Sequence, residues 1–402
     1  MKKQNLLLIT VFGLLTFFPA CKNETTYKTL LITGQNNHNW QVSSPILKQI
    51  LDETGLFSTD IMKTPEKGGD MKTFDPDFSK YKLVVLDYNG DSWSDKTDTA
   101  FVDFVRNGGG VVIYHAADNS FPGWKEYNAM IGLGGWGDRN QKDGPYVYYK
   151  DNKLIVDTTA GIGGTHGKRR EYIVRTRIMD HPILKGLPVA WLHGTDELYS
   201  LLRGPAKDMQ ILATAFADSA LGGGTMRDEP MLMTITYGKG RIFHTAMGHA
   251  DIGGGPAMQC AGFITTLQRG AEWAVTGDVT QKVPWDFPSA AGVVLRPDFK
   301  EMTLDEAFKV IGKYDITRST KSLACIQSKI RSLSGDTQGL LAIEKEMVKV
   351  LSDKGSTPEA KKLLLRELSW MGTDYSVPVI KELNSDPELK EEAAFALARI
   401  QK

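Results

Sequence analysis

The sequence predicts an α/β domain built on a doubly wound, mainly parallel sheet, followed by a smaller all-α domain. Three observations carry that expectation. Short β-branched runs alternate with amphipathic stretches over the first two thirds of the chain, the rhythm of parallel strands joined by crossover helices. Forty glycines against seventeen prolines, without a period or a biased tract, fit many tight strand-to-helix turns. Beyond residue 299 the β-branched runs stop and helical periodicity takes over.

Taken in order, TLLIT at 29–33 reads as a strand, 43–54 as a helix and 58–63 as a second strand. KLVVLD at 82–87 is the third strand, 95–107 a helix, and VVIY at 111–114 the fourth strand. In such sheets ligands sit beyond the carboxyl ends of the strands. That directs attention to GQNNHNW at 34–40, YNGD at 88–91 and HAAD at 115–118. The segment 121–187, rich in Gly, Trp and Asp, reads as long loops and edge strands of the kind that line sites. Then come a strand at 210–215 and a hairpin of 231–236 with 241–246, turned by YGKG. A helix at 257–274 closes the domain, and 284–297 reads as a linker carrying Pro, Gly and Ser.

In the helical part, TPEAKK at 357–362 can be laid on DPELKE at 386–391, each followed by an apolar helix face. Such pairs suggest a short solenoid similar to HEAT repeats, with Leu363, Leu364, Leu368, Ala394, Leu397 and Ile400 in the core; a generic helical bundle is the alternative. The predicted organisation is a leader over 1–21, an α/β domain over 28–277, a linker over 278–299 and a helical domain over 300–402.

Lys2 and Lys3 precede an apolar run at 6–18 that ends in FPAC, which resembles a bacterial lipobox with Cys21 as the lipidated residue. The expectation is an exported protein that meets the membrane only through this N-terminal lipid anchor. Forty-eight basic residues balance forty-eight acidic ones, so no one-signed field exists to collect phosphates and nucleic acid is not an expected partner. Cys260 and Cys325 form no CxxC pair, which argues against a disulfide framework or a thiolate zinc site; Cys260 falls in the predicted closing helix, a place for an inert thiol.

With those residues laid out, the front domain resembles the ThuA-like (trehalose-utilisation) family, whose fold is that of flavodoxin-like class I glutamine amidotransferases. The resemblance covers 28–277 and rests on five stretches in order: NGGGVVIYHA at 107–116, HPILKGLP at 181–188, DELY at 196–199, YGKGRIF at 237–243 running to Gly248-His249, and GAEWA at 270–274. An amidotransferase needs a cysteine at the sharp turn after a central strand. Here that turn offers His115, so a glutaminase is not expected although the scaffold is shared.

His115 is therefore the first candidate, at a glycine-introduced strand end, and His249 the second, matched by the family motif. Glu197 and Asp118 are the carboxylates expected to orient a histidine base, making His115, His249, Glu197 and Asp118 the catalytic candidates. His38, Trp40, Asn89, Trp136 and His244 are candidates for substrate contact, since flat aromatic faces meet sugar C–H groups and amides take hydroxyls. His244 lies inside a strand, where packing is the plainer explanation. His38, His115 and a carboxylate such as Glu197 or Asp118 could hold one divalent metal, zinc or manganese. The resemblance implies a small-molecule carbohydrate as partner, handled as a glycoside or keto-sugar. The reaction it suggests is elimination or hydrolysis. The competing expectation is a non-catalytic carbohydrate-binding or assembly lipoprotein whose helical domain docks a protein partner.

Overall fold

The computed structural model describes residues 26–401, so the leader and Cys21 lie outside the described residues. Strand β1 (Tyr27–Thr33), helix α1 (Trp40–Asp52), β2 (Phe57–Lys63), β3 (Leu83–Leu86), α2 (Asp95–Arg106) and β4 (Gly110–Tyr114) follow the predicted alternation. After them come α3 (Lys125–Ile131), β5 (Tyr146–Lys150), β6 (Lys153–Asp157), β7 (Thr165–His166), β8 (Arg170–Thr176), β9 (Ala190–Asp196) and β10 (Tyr199–Ser200). The domain is completed by β11 (Met209–Phe216), β12 (Asp228–Tyr237), β13 (Gly240–Thr245), α4 (Gly255–Gln259) and α5 (Ala261–Thr276).

The main path of the sheet runs β2-β1-β3-β4-β13-β12-β11-β8-β9. Its first five strands are parallel, as the alternation predicts. From β13 outward the sheet is antiparallel: β12–β13, β11–β12 and β8–β9 are consecutive strands joined without a crossover helix, and β11 also pairs antiparallel with β8; the 237–240 turn pairs Tyr237 with Gly240. The sheet is thus mixed; the Gly-rich middle segment supplies β5, β6 and β8, and β9 forms the far end of the main path.

Both faces are covered. On β13 the ring of Phe243 presses on Gly270 of α5, where a Cβ would come within 2.2 Å of it. The next residue, His244, points the other way and meets the carbonyl of Ile131 on α3 at 2.9 Å. Helices on opposite faces explain why β3 and β4 are apolar without alternation, every residue buried.

The closing helix is two helices. Cys260 between α4 and α5 is extended, with φ −62° and ψ 123°, and pairs with Leu295. Its thiol is buried as expected, but beside His193 rather than among aliphatic side chains alone; burial pushes the thiol up, and His193 together with the amides of Gly194 and Phe263 brings it below its ordinary value. The 284–297 segment is not a free tether. Leu192 N–H donates to Ser289 at 2.8 Å, and Arg296 forms a buried pair with Asp286, its Nε 2.9 Å from the carboxylate.

The C-terminal region holds α6 (Leu304–Ile311), α7 (Lys321–Ser332), α8 (Thr337–Ser352), α9 (Pro358–Met371), α10 (Val377–Leu383) and α11 (Lys390–Ile400) around their own core. Thr357 caps α9 through the amide of Ala360, with Pro358 in the first turn. The matching DPELKE does not open α11 in the same way, since that helix begins only at Lys390. In α11 Ala393 and Ala396 are buried and Ala394 is exposed, against the predicted core position.

Candidate functional site

Four strand-end loops converge above the parallel half of the sheet. The first follows β1 and carries His38. It is pinned from below by Asp87, just past β3, whose buried carboxylate accepts Ser43 Oγ at 2.6 Å, Ser44 Oγ at 2.7 Å and Asn36 Nδ2 at 3.1 Å. Asn36 in turn accepts the backbone N–H of His38 at 3.0 Å. Burial pushes the Asp87 carboxyl up to about 6 despite those three donors.

The second loop is the turn after β4. His115 sits there with φ +46°, a left-handed conformation that a non-glycine residue seldom adopts. The turn aims the ring at the cleft. Its Nδ1–H donates to the carbonyl of Ala246 at 2.8 Å, and because a carbonyl can only accept, the tautomer of neutral His115 leaves the lone pair on Nε2. That nitrogen lies 3.1 Å from the hydroxyl of Tyr199, whose ring stacks on the imidazole with centroids 4.4 Å apart.

The remaining two loops follow β9 and β13 and bring Glu197 and His249. The Glu197 carboxylate is then ringed by His38 Nε2 at 3.4 Å, His115 Nε2 at 3.6 Å and His249 Nδ1 at 3.3 Å. His166 Nε2 stands further out at 4.0 Å. Burial works to raise the Glu197 carboxyl, but the three nearer imidazoles outweigh it and hold the group well below the usual carboxylate range. Burial also lowers His38, whereas for His115 Glu197 and Asp196 overcome burial and raise it.

His38, His115, Glu197 and His249 can each offer one ligand atom, all within 4.8 Å of one another. Two tests of fit favour a metal. A tetrahedral zinc with ligands at about 2.0–2.1 Å needs donor atoms about 3.3–3.4 Å apart, close to the carboxylate–imidazole distances seen here. Moreover, Nδ1 of His249, the nitrogen that faces Glu197, is buried with no hydrogen-bond partner, so it is not committed elsewhere. Three imidazoles and one carboxylate suit zinc, and also manganese.

Around this cluster is a cleft of about 500 Å³ lined by Asn37, His38, Asn39, Asn89, Asn119, Trp136, His166, Glu197, Tyr199 and His249. Among the described residues no lysine or arginine lines it. Trp136, itself at φ +54°, packs edge-on against Tyr199 with centroids 4.6 Å apart. A larger cavity of about 730 Å³ lies where the 281–304 segment meets α5 and α7, but among the described residues it gathers no ligand set.

Of the residues singled out in the sequence, His38, His115, Glu197 and His249 form the cluster, and Asn89 and Trp136 line its cleft. Three others stand elsewhere. Asp118 and His244 face each other at 3.4 Å, both wholly buried and neither lining the cleft: the turn after His115 carries Asp118 inward, and the strand alternation sends His244 to the α3 face. Trp40 opens α1 outside the cleft, with the Lys63 ammonium 5.2 Å above its ring. Sequence reasoning missed His166, Tyr199 and Asn119. Tyr199 lies in the DELY stretch and His166 follows the glycines at 161–164, so local signals existed but did not say which way the side chains face.

A mixed sheet covered by helices on both faces, with a histidine rather than a cysteine at the turn after β4 and three imidazoles around one carboxylate, defines an α/β protein whose site is built for metal or acid–base chemistry and not for a thiol nucleophile. The chain belongs to the ThuA family, described as trehalose utilisation, whose model matches residues 28–274. It is similar to the crystal structure of a ThuA-like protein from Parabacteroides merdae, with 55% identity and a TM-score of 0.68 over 69% of this chain and 100% of that one. A ThuA-like protein from Bacteroides uniformis matches with 17% identity and a TM-score of 0.43 over 65% of this chain and 97% of that one. No curated protein matches the chain.

Proposed function

We propose that this is a metal-dependent, carbohydrate-active enzyme, a lyase or hydrolase acting on glycosides or their keto-sugar derivatives. The observation that carries the reading is the carboxylate of Glu197, enclosed by imidazoles from three other loops in a cleft that no lysine or arginine lines among the described residues. Uncharged amides beside a tryptophan suit a hydroxylated, neutral ring. The family's description points to the same substrate class.

A divalent metal on His38, His115, His249 and Glu197 would act as a Lewis acid toward a carbonyl oxygen. In a 3-keto-glycoside the C2 hydrogen is acidified by the neighbouring ketone. A base takes that proton and the C–H electron pair becomes an enolate; the enolate reforms the ketone as a C1–C2 double bond forms and the C1–O bond breaks. The departing oxygen takes a proton. His166, at the rim and outside the four-residue set, is the imidazole free to act as the base. Tyr199 is held far above its ordinary value by burial and by the carboxylates around it. It therefore remains an O–H donor at neutral pH, able to stabilise the enolate oxygen.

Export with a lipid anchor at Cys21 belongs to the same proposal and rests on the leader sequence. The second reading, a carbohydrate-binding or assembly lipoprotein, draws on Trp370 and Phe395, which stand 74% and 50% exposed on the helical region where a protein partner would dock. Incubating the purified protein with a 3-keto-glycoside, with zinc or manganese and after chelation, separates the two. Metal-dependent aglycone release supports the enzyme. Sugar affinity without release under any condition supports the binding protein.

A further inference from the structure

The geometry points to Asp196 as the positioning residue that fixes Glu197 and His249 at ligand distance, an inference that rests on the metal reading above. The two loops have no tie through the sheet: β12, β11 and β8 stand between β13 and β9 on its path. Asp196 supplies the tie. Its carboxylate is wholly buried, and Oδ1 accepts the backbone N–H of Glu197 at 2.7 Å and of His249 at 3.0 Å. Oδ2 accepts the N–H of Gly248 at 2.7 Å, while His193 Nε2 sits 2.8 Å away. One side chain therefore holds the main chain of two members of the cluster.

The clamp has little room to slip. Gly248 is at φ +108°, and a Cβ there would come within 2.5 Å of the Phe263 ring and 2.8 Å of the Tyr114 ring. His193 is as deeply buried as Asp196, and its Nε2 at 2.8 Å gives the carboxylate a fourth partner within the protein, away from solvent. Partners that orient ligands in this way typically change metal affinity by 10–100-fold when removed.

The test is zinc affinity of the metal-free full chain, read by competition with a chromogenic chelator. Asp196→Asn keeps the size but turns one accepting oxygen into an amide donor, and its zinc Kd is expected to rise about 10–100-fold with the melting transition still cooperative. Glu272→Gln is the control: that carboxylate is also buried and also clamps a loop, through the amides of Thr280 at 2.7 Å and Gln281 at 3.2 Å, but far from the cluster. It is expected to leave zinc Kd unchanged. An Asp196→Asn protein that folds and binds zinc like the wild type overturns the proposal, as does an equal loss in Glu272→Gln. Hydrogen exchange on the metal-free wild type covers a variant that fails to fold: the Gly248 and His249 amides must be protected, and exchange at open-loop rates overturns the clamp. Should the wild type take up no zinc, the metal reading fails, and the same exchange experiment still decides the role of Asp196.

Discussion

His115 and Tyr199, from different loops, stack with ring centroids 4.4 Å apart and put the tyrosine hydroxyl 3.1 Å from the imidazole Nε2. The tyrosine thus does two things at once, bracing a strained residue and placing a donor at the cluster. Tyr199→Phe separates them. The stack survives and the O–H is lost, so metal content is expected to stay at the wild-type level while turnover falls on the order of 10–1,000-fold. Elemental analysis and initial rates on a keto-glycoside check both halves.

The turn at His115 carries a conformation that glycine tolerates and alanine does not. Both His115→Gly and His115→Ala remove a ligand and should lose most of the zinc affinity. Melted without metal, the glycine variant is expected to be the more stable by about 1 kcal/mol, the order of cost of one left-handed non-glycine residue. Paired thermal scans in chelator decide it.

Metal binding to the folded state alone raises stability by mass action, about 2.7 kcal/mol at a hundredfold excess over Kd. Zinc should therefore raise the melting temperature of the α/β domain and a chelator should lower it. Replacing His38, His249 or Glu197 with alanine should abolish the difference. Asp118→Asn should preserve it, since Asp118 pairs with His244 and takes no part in the cluster.

Stability should also fall with rising pH through Glu229. This carboxyl is wholly buried, and burial pushes it up to about 7, the donors Thr225 and Tyr146 only partly opposing that. In the unfolded chain it titrates near its ordinary value of 4.5. Between these values the folded state holds a proton that the unfolded state has released, so the contribution is complete below about 4.5 and is lost as pH rises to about 7. The loss is up to about 3 kcal/mol. Glu229→Gln, which stays neutral, is expected to flatten the slope of denaturant midpoints between pH 5 and 8 and to gain on the wild type at the alkaline end.

Local pattern made the parallel half of the sheet legible, because β-branched runs and amphipathic stretches are properties of consecutive residues. The 237–240 turn announced its hairpin for the same reason. The break at Cys260 was not legible: the apolar periodicity runs through it, and only the pairing with Leu295, far along the chain, makes the backbone extended there. Ala394 shows the same limit: alanines at 393, 394 and 396 all fit an apolar face by pattern, and only packing shows that 393 and 396 are the buried ones.

By itself the sequence determined that imidazoles and a carboxylate stand at strand ends, and that the turn after β4 carries histidine rather than a nucleophilic cysteine. Only the tertiary structure decided membership of the cluster: His249 joins His38, His115 and Glu197, while Asp118 and His244 turn away to a buried pair of their own. The reason is physical. Position along a chain fixes which loop a side chain belongs to, but the side to which it points depends on the twist of the sheet and on backbone clamps such as Asp196, made between residues about fifty apart in sequence.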